Sequence, residues 1–192
     1  MDHGGMLVNI ERALTIPGWM EAEELEFLAQ CASKSNTIAE VGSWRGRSAT
    51  AMADNSDALI TCADTWADNA YGNPGWWTES DGPDFCKRQD WLLNAFRENL
   101  KDYIPDRVTQ IRMHSVDAAR ALIDQRYNLI FIDAGHRYED IRNDILAWRP
   151  LLADGGIFCG HDYHEHTNPE VVQAVKELVP NFYVKGTIWI AR

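Results

Sequence analysis

The sequence predicts a single α/β domain built on a mostly parallel sheet that ends in an antiparallel hairpin. Three observations carry that expectation. Short apolar runs at 38–41, 58–63, 107–113, 128–132 and 155–160 alternate with segments of helical periodicity. The fourth run, NLIFI, is wholly apolar after Asn128, as suits a strand covered on both faces. FYVKG and TIWIAR, joined at Gly186 and Thr187, are too close together for anything but a hairpin. At 192 residues and 45% hydrophobic content the chain fills one core, and it shows no repeat or linker. Seven strands between two helical layers, a three-layer sandwich, is the expected architecture for residues 1–192.

Within the N-terminal arm of residues 1–20, residues 1–14 read as a loose segment with some helical character, Pro17 and Gly18 as a turn, and Trp19 as a core residue or, with Ile16, a staple for the next helix. A helix over Glu21–Ser33 follows, carrying Leu25, Leu28 and Ala32 on one face. The stretch Thr37–Met52, TIAEVGSWRGRSATAM, is strand, tight loop and helix. Gly42 and Gly46 lack a Cβ, so the loop can turn sharply and bring backbone close to a ligand at the helix N-terminus; glycines kept for packing alone are the alternative. The spacing E-x-G-x-x-x-G departs from the G-x-G-x-x-G of dinucleotide sites, and Glu40 would repel a pyrophosphate while suiting a cationic ligand. Asp64, 24 positions beyond Glu40, stands where an acid can accept from a ribose diol, or is a helix-capping or surface residue.

Trp66–Asp90 breaks all periodicity and carries three tryptophans among turn residues, which reads as a lid or acceptor-pocket wall, or else an aromatic plug or oligomer contact. An amphipathic helix spans Cys86–Leu100. Ser115 and Asp117 follow the third strand, where either could cap the next helix. The later helices place Tyr138, Ile141, Ile145 and Trp148 on one face and run from Pro169 to Val179.

The net charge of -11 disfavours nucleic acid and anionic membrane as partners. No leader and no long apolar run appears, so a cytoplasmic setting is expected, with the four cysteines as free thiols.

EVGSWRGRSA resembles motif I of the class I S-adenosylmethionine-dependent methyltransferases, in particular the small-molecule O-methyltransferase branch that includes catechol O-methyltransferase. The order of elements extends that resemblance, and its Rossmann-like sheet, over nearly the whole chain. The resemblance implies S-adenosyl-L-methionine as cofactor, held by Glu40, Gly42, Ser43, Trp44, Gly46 and Ser48 of the loop. Asp64, Thr65 and Trp66 after the second strand, Ser115 and Val116 beside the adenine, and Asp133 would complete its site.

In a parallel sheet the strand ends share one rim, so Glu40, Asp64, Ser115, Asp133 and Asp162 should converge. Two carboxylates brought together repel unless a proton or metal lies between them. The resemblance implies a divalent ion, Mg²⁺ or another, on Asp133, His161 and Asp162, with His161 standing where the family has an oxygen ligand. His136, three residues after Asp133, stands where such enzymes keep a general base, so His136, Asp133 and Asp162 form the expected catalytic set. The expected reaction is methylation of a hydroxyl on a sugar, phenol or natural product. Alternatives are a hydroxylase-like or nicotinamide-dependent enzyme on the same sheet, or a cofactor-binding subunit without catalysis. Acceptor specificity would come from residues 1–20, from the Trp-rich segment, or from the neighbouring subunit of a homo-oligomer.

Overall fold

The computed structural model describes residues 7–67 and 90–192. Helices α1 (Glu11–Thr15) and α2 (Ala22–Ala32) precede β1 (Thr37–Val41), which runs through the glycine loop into α3 (Arg47–Asp54). Then come β2 (Leu59–Asp64), α4 (Trp91–Asn99), β3 (Val108–Arg112), α5 (Ser115–Ala121), β4 (Tyr127–Ile132) and α6 (Tyr138–Trp148). β5 (Leu152–Gly160), α7 (Pro169–Leu178), β6 (Phe182–Lys185) and β7 (Ile188–Ala191) complete the chain.

The sheet order is β3-β2-β1-β4-β5-β7-β6. The first five strands are parallel, and β7 is antiparallel to both β5 and β6. The last strand thus inserts between β5 and β6, an order that hairpin spacing alone does not fix. Composition explains it: Ile188, Trp189 and Ile190 are buried, whereas Tyr183 and Val184 of the edge strand are exposed. Alternate strand residues enter two cores. Ile38, Cys62 and Phe131 pack under α1 to α4, and Ala39, Val41, Ile130 and Ile132 pack under α5 to α7.

Two expectations about the N-terminal region are corrected. The arm is anchored from α1 onward, because Ile10 and Ala13 are buried and Arg12 pairs with Asp54 and Asp102. Trp19 is 56% exposed and stacks on Trp44 with ring centroids 4.5 Å apart, so it is not a core residue. Arg47 fixes this turn by donating to the carbonyls of Ile16 (2.7 Å) and Met20 (2.9 Å). Residues 68–89, which hold most of the Trp-rich segment and the expected start of α4, lie outside the described residues. Among those described, no helix is long and apolar enough to cross a membrane. Cys31, Cys62 and Cys159 are buried free thiols.

Because β1 is flanked by β2 on one side and β4 on the other, the chain leaves it in both directions. In an open α/β sheet such a switch point opens a crevice at the strand carboxyl ends.

Candidate active site

The loop after β1 is closed by the protein's own groups. Gly42 (φ +88°) donates its N–H to Ala63 O at 2.8 Å, and a Cβ there would lie 2.1 Å from Asp133 O. A Cβ on Gly46 (φ +82°) would lie 2.8 Å from Leu100 Cδ1. Packing demands glycine at both positions. Trp44 takes the left-handed conformation, φ +44°, which costs an L-residue energy unless neighbours hold it. Its N–H donates to Asp64 Oδ2 (2.8 Å), and its carbonyl accepts from Trp66 Nε1 (2.9 Å). Asp64 Oδ1 accepts the Trp66 N–H at 2.7 Å. Burial pushes the Asp64 pKa up, and these backbone N–H groups oppose the rise. Trp66, read as a cofactor contact, instead buries its ring against Phe96 and braces the loop from the core.

Glu40 is wholly buried. Ser48 Oγ donates to its Oε1 at 2.5 Å, while Oε2 has no hydrogen bond. Burial raises its pKa to about 7, against the pull of the Ser43 and Ser48 hydroxyls. Glu40 therefore anchors the first turn of α3 beneath the loop, which corrects the expectation that it faces a cationic ligand. Ser43 is buried beside it, and Thr65 and Val116 are half-buried. Ser115 opens α5 with His114, not Ser115 or Asp117, at the cap position. Its hydroxyl donates to Asp144, a buried acid whose pKa burial raises to about 6.

The rim of β4 and β5 is built differently. Asp133 N–H donates to Val41 O (2.7 Å) and His161 N–H to Ile132 O (2.9 Å), so both strand ends are locked to their neighbours. Asp133, His136 and Asp162 each present one ligand atom, all within 4.8 Å of one another. His136 Nε2 lies 2.8 Å from Asp162 Oδ2. Asp162 sits at φ +62°, held there as Asn168 Nδ2 donates to its Oδ1 (3.2 Å) and His164 N–H to its carbonyl (2.8 Å). The hydrogen bond to Asp162 raises the pKa of His136, although burial opposes it. Burial would raise the pKa of Asp162, but His136 and His161 together hold it well below the usual carboxylate range.

His161 does not join that trio, which corrects its expected role as a metal ligand. It is 6% exposed, with Nε2 3.2 Å from Glu24 Oε2 and Nδ1 3.4 Å from Asp133 Oδ1 and 3.5 Å from Asp162 Oδ2. Burial disfavours its charge, yet Asp133, Asp162 and Glu24 outweigh that and push its pKa up to about 12. Both of its ring nitrogens already face carboxylate oxygens. His136 takes the place expected of it: two carboxylate oxygens and one imidazole nitrogen suit Mg²⁺, Mn²⁺ or Fe²⁺, so the donor set fits a divalent ion.

Glu24 is the residue that sequence reasoning missed. Burial would raise its pKa, but bonds from His161, Thr187 and Glu21 lower it to about 2. The signal was present: Glu24 lies four residues before Leu28, on the apolar face of α2. His164 and His166 are exposed.

The sheet order, the switch-point crevice and the acid-and-histidine rim together define a class I methyltransferase-type α/β fold. Residues 39–163 match a family model described as a methyltransferase domain, and the chain belongs to that family. No curated protein matches the sequence. Among solved structures it is similar to a Staphylococcus aureus protein assigned as a caffeoyl-CoA O-methyltransferase, at 17% identity and TM-score 0.65, covering 92% of this chain and 85% of that one. A Podospora anserina methyltransferase bound to S-adenosylhomocysteine matches at 18% identity and TM-score 0.63, covering 95% and 85%. An O-methyltransferase from Bacillus cereus in complex with S-adenosylhomocysteine matches at 15% and TM-score 0.63, covering 94% and 89%. At these identities the likeness is one of fold.

Proposed function

We propose that the protein transfers the methyl group of S-adenosylmethionine to a hydroxyl oxygen of a small molecule. The observation that carries the reading is the His136–Asp162 pair, 2.8 Å apart beside Asp133 at the rim of the β1–β4 crevice. With its Nε2–H on Asp162, neutral His136 keeps its lone pair on Nδ1. Nδ1 takes the hydroxyl proton as the oxygen attacks the methyl carbon, while the C–S bond breaks and sulfur keeps the electron pair. Asp162 fixes the tautomer and stabilises the imidazolium that forms. Asp64 would accept from the ribose hydroxyls, and Ser115 and Val116 would flank the adenine. S-adenosylhomocysteine in two similar structures supports this donor, and the O-methyltransferase names of the Bacillus cereus and Staphylococcus aureus proteins support an oxygen acceptor.

Asp133, His136 and Asp162 would hold a divalent ion, which when bound supplies Lewis acidity that eases loss of a hydroxyl proton. Neutral imidazole has one lone pair, so the ligand and base roles of His136 exclude one another. Activity in the presence of a chelator supports the base role; activity restored only by added Mg²⁺ or Mn²⁺ supports the ligand role.

Calorimetry with S-adenosylmethionine and S-adenosylhomocysteine tests the reading, followed by release of S-adenosylhomocysteine with a catechol, a flavonoid and a nucleoside-diphosphate sugar as probe acceptors. Saturable binding of both cofactor forms is expected, with none of NAD or NADP. Absence of heat with either adenosyl compound would overturn it, and binding without turnover on any probe would favour a non-catalytic subunit.

A further inference from the structure

We propose that Glu24, on helix α2 and away from the rim, is a positioning residue: its carboxylate fixes the His161 ring between Asp133 and Asp162 and so sets the place of the His136–Asp162 pair. The inference rests on reading that pair as the transfer centre.

Glu24 is 4% exposed on a helix face otherwise given to Leu25 and Leu28. A buried carboxylate there is costly unless every lone pair is used. All four directions are used. Oε1 accepts from Thr187 N (2.7 Å) and Thr187 Oγ1 (2.7 Å). Oε2 accepts from Glu21 N (2.9 Å) and faces His161 Nε2 at 3.2 Å. The hairpin turn is shaped around this group: Gly186 stands at φ +62°, where a Cβ would come within 2.7 Å of Glu24 Oε1. A carboxylate so held has one position.

The contacts of His161 on the other side are longer, 3.4 Å to Asp133 and 3.5 Å to Asp162, so its ring is registered by Glu24 and its backbone more than by either acid. Asp162 Oδ2 is the same oxygen that meets His136 Nε2 at 2.8 Å. A chain of contacts thus runs from Glu24 through His161 and Asp162 to His136, beginning 137 residues upstream of His161. Partners one step behind a working side chain orient it, and their loss typically lowers activity about 10- to 100-fold.

Glu24→Gln breaks the arrangement, because an amide offers N–H groups where the carboxylate accepts. The test uses full-length protein with ¹⁵N-labelled histidine, free of donor and acceptor, with ring signals assigned through His136→Asn and His161→Asn. Expected are shifts of both the His161 and the His136 ring signals, with the affinity for S-adenosylhomocysteine unchanged. A His161 shift with the His136 signals unmoved would overturn the proposal. So would parallel loss of S-adenosylhomocysteine affinity and thermal stability, which marks a merely structural part. Should Glu24→Gln fail to fold, Thr187→Val removes one donor to Oε1 and is expected to shift His161 in the same direction by less; no shift overturns the proposal. Failure of the methyl-transfer reading looks different: wild-type protein that binds neither adenosyl compound while its ring signals still respond to the variants.

Discussion

The loop after β1 and the rim of β4 and β5 both carry acids at strand ends, but they spend them differently. In the loop, Asp64 is occupied by the N–H groups of Trp44 and Trp66, Glu40 by Ser48, and the spaces beside Gly42 and Gly46 are filled by Asp133 and Leu100. At the rim, Asp133, His136 and Asp162 stay half-exposed and face one another. A glycine pattern therefore reports how tightly backbones approach, whereas acids set against imidazoles report where protons can move.

The contrast can be broken by substitution. Gly42→Ala puts a Cβ 2.1 Å from a carbonyl oxygen at φ +88° and should cost at least about 4 kcal/mol, leaving little folded protein by circular dichroism. A wild-type melting curve would mean that the glycine serves a ligand instead. His136→Ala should lower turnover about 10²- to 10⁴-fold while S-adenosylhomocysteine binds as before; equal loss of binding would place His136 in the donor site.

Glu40 tests the loop through pH. Its folded pKa of about 7 stands above its ordinary 4.5, so the folded state holds this proton more tightly. The stability it contributes is complete below 4.5 and is lost as pH rises through about 7. Glu40→Gln should then stabilise the fold at pH 8 by on the order of 3 kcal/mol, read as a higher melting temperature, with the gain fading as pH falls toward 4.5. A gain that persists at pH 4.5 would point to packing rather than charge.

At the rim the sign concerns activity. Asp162 raises the pKa of His136, so kcat/KM should climb with pH through a midpoint above about 6.5, and Asp162→Asn should bring that midpoint down while lowering the rate. A midpoint that stays put would assign the titration to another group. The smallest effect belongs to Trp19→Ala: exposed as Trp19 is, its loss should change stability by no more than about 0.5 kcal/mol in a thermal melt.

The strands and helices were legible because their periodicities are strong, and NLIFI could only be a central strand. The placement of β7 inside β6 was not, since it depends on which of two short runs is more apolar once both meet β5. At the site, Asp133, His136 and Asp162 announced themselves by following apolar strands. The roles of Glu40 and His161 depend on burial, which a residue's own letter does not carry. Glu24 and Asp144 show how such cases are found: each is an acid interrupting the apolar stripe of a helix, and each is buried with a partner from another part of the chain.

The Thr187 bonds to Glu24 join segments 163 residues apart, and they bear on assembly. During synthesis α2 emerges well before β7. Until β7 lies between β5 and β6, the Thr187 end of the clasp is not in place. Contacts of such long sequence separation form slowly. The hold of Glu24 on His161 is thus complete only once β7 has docked.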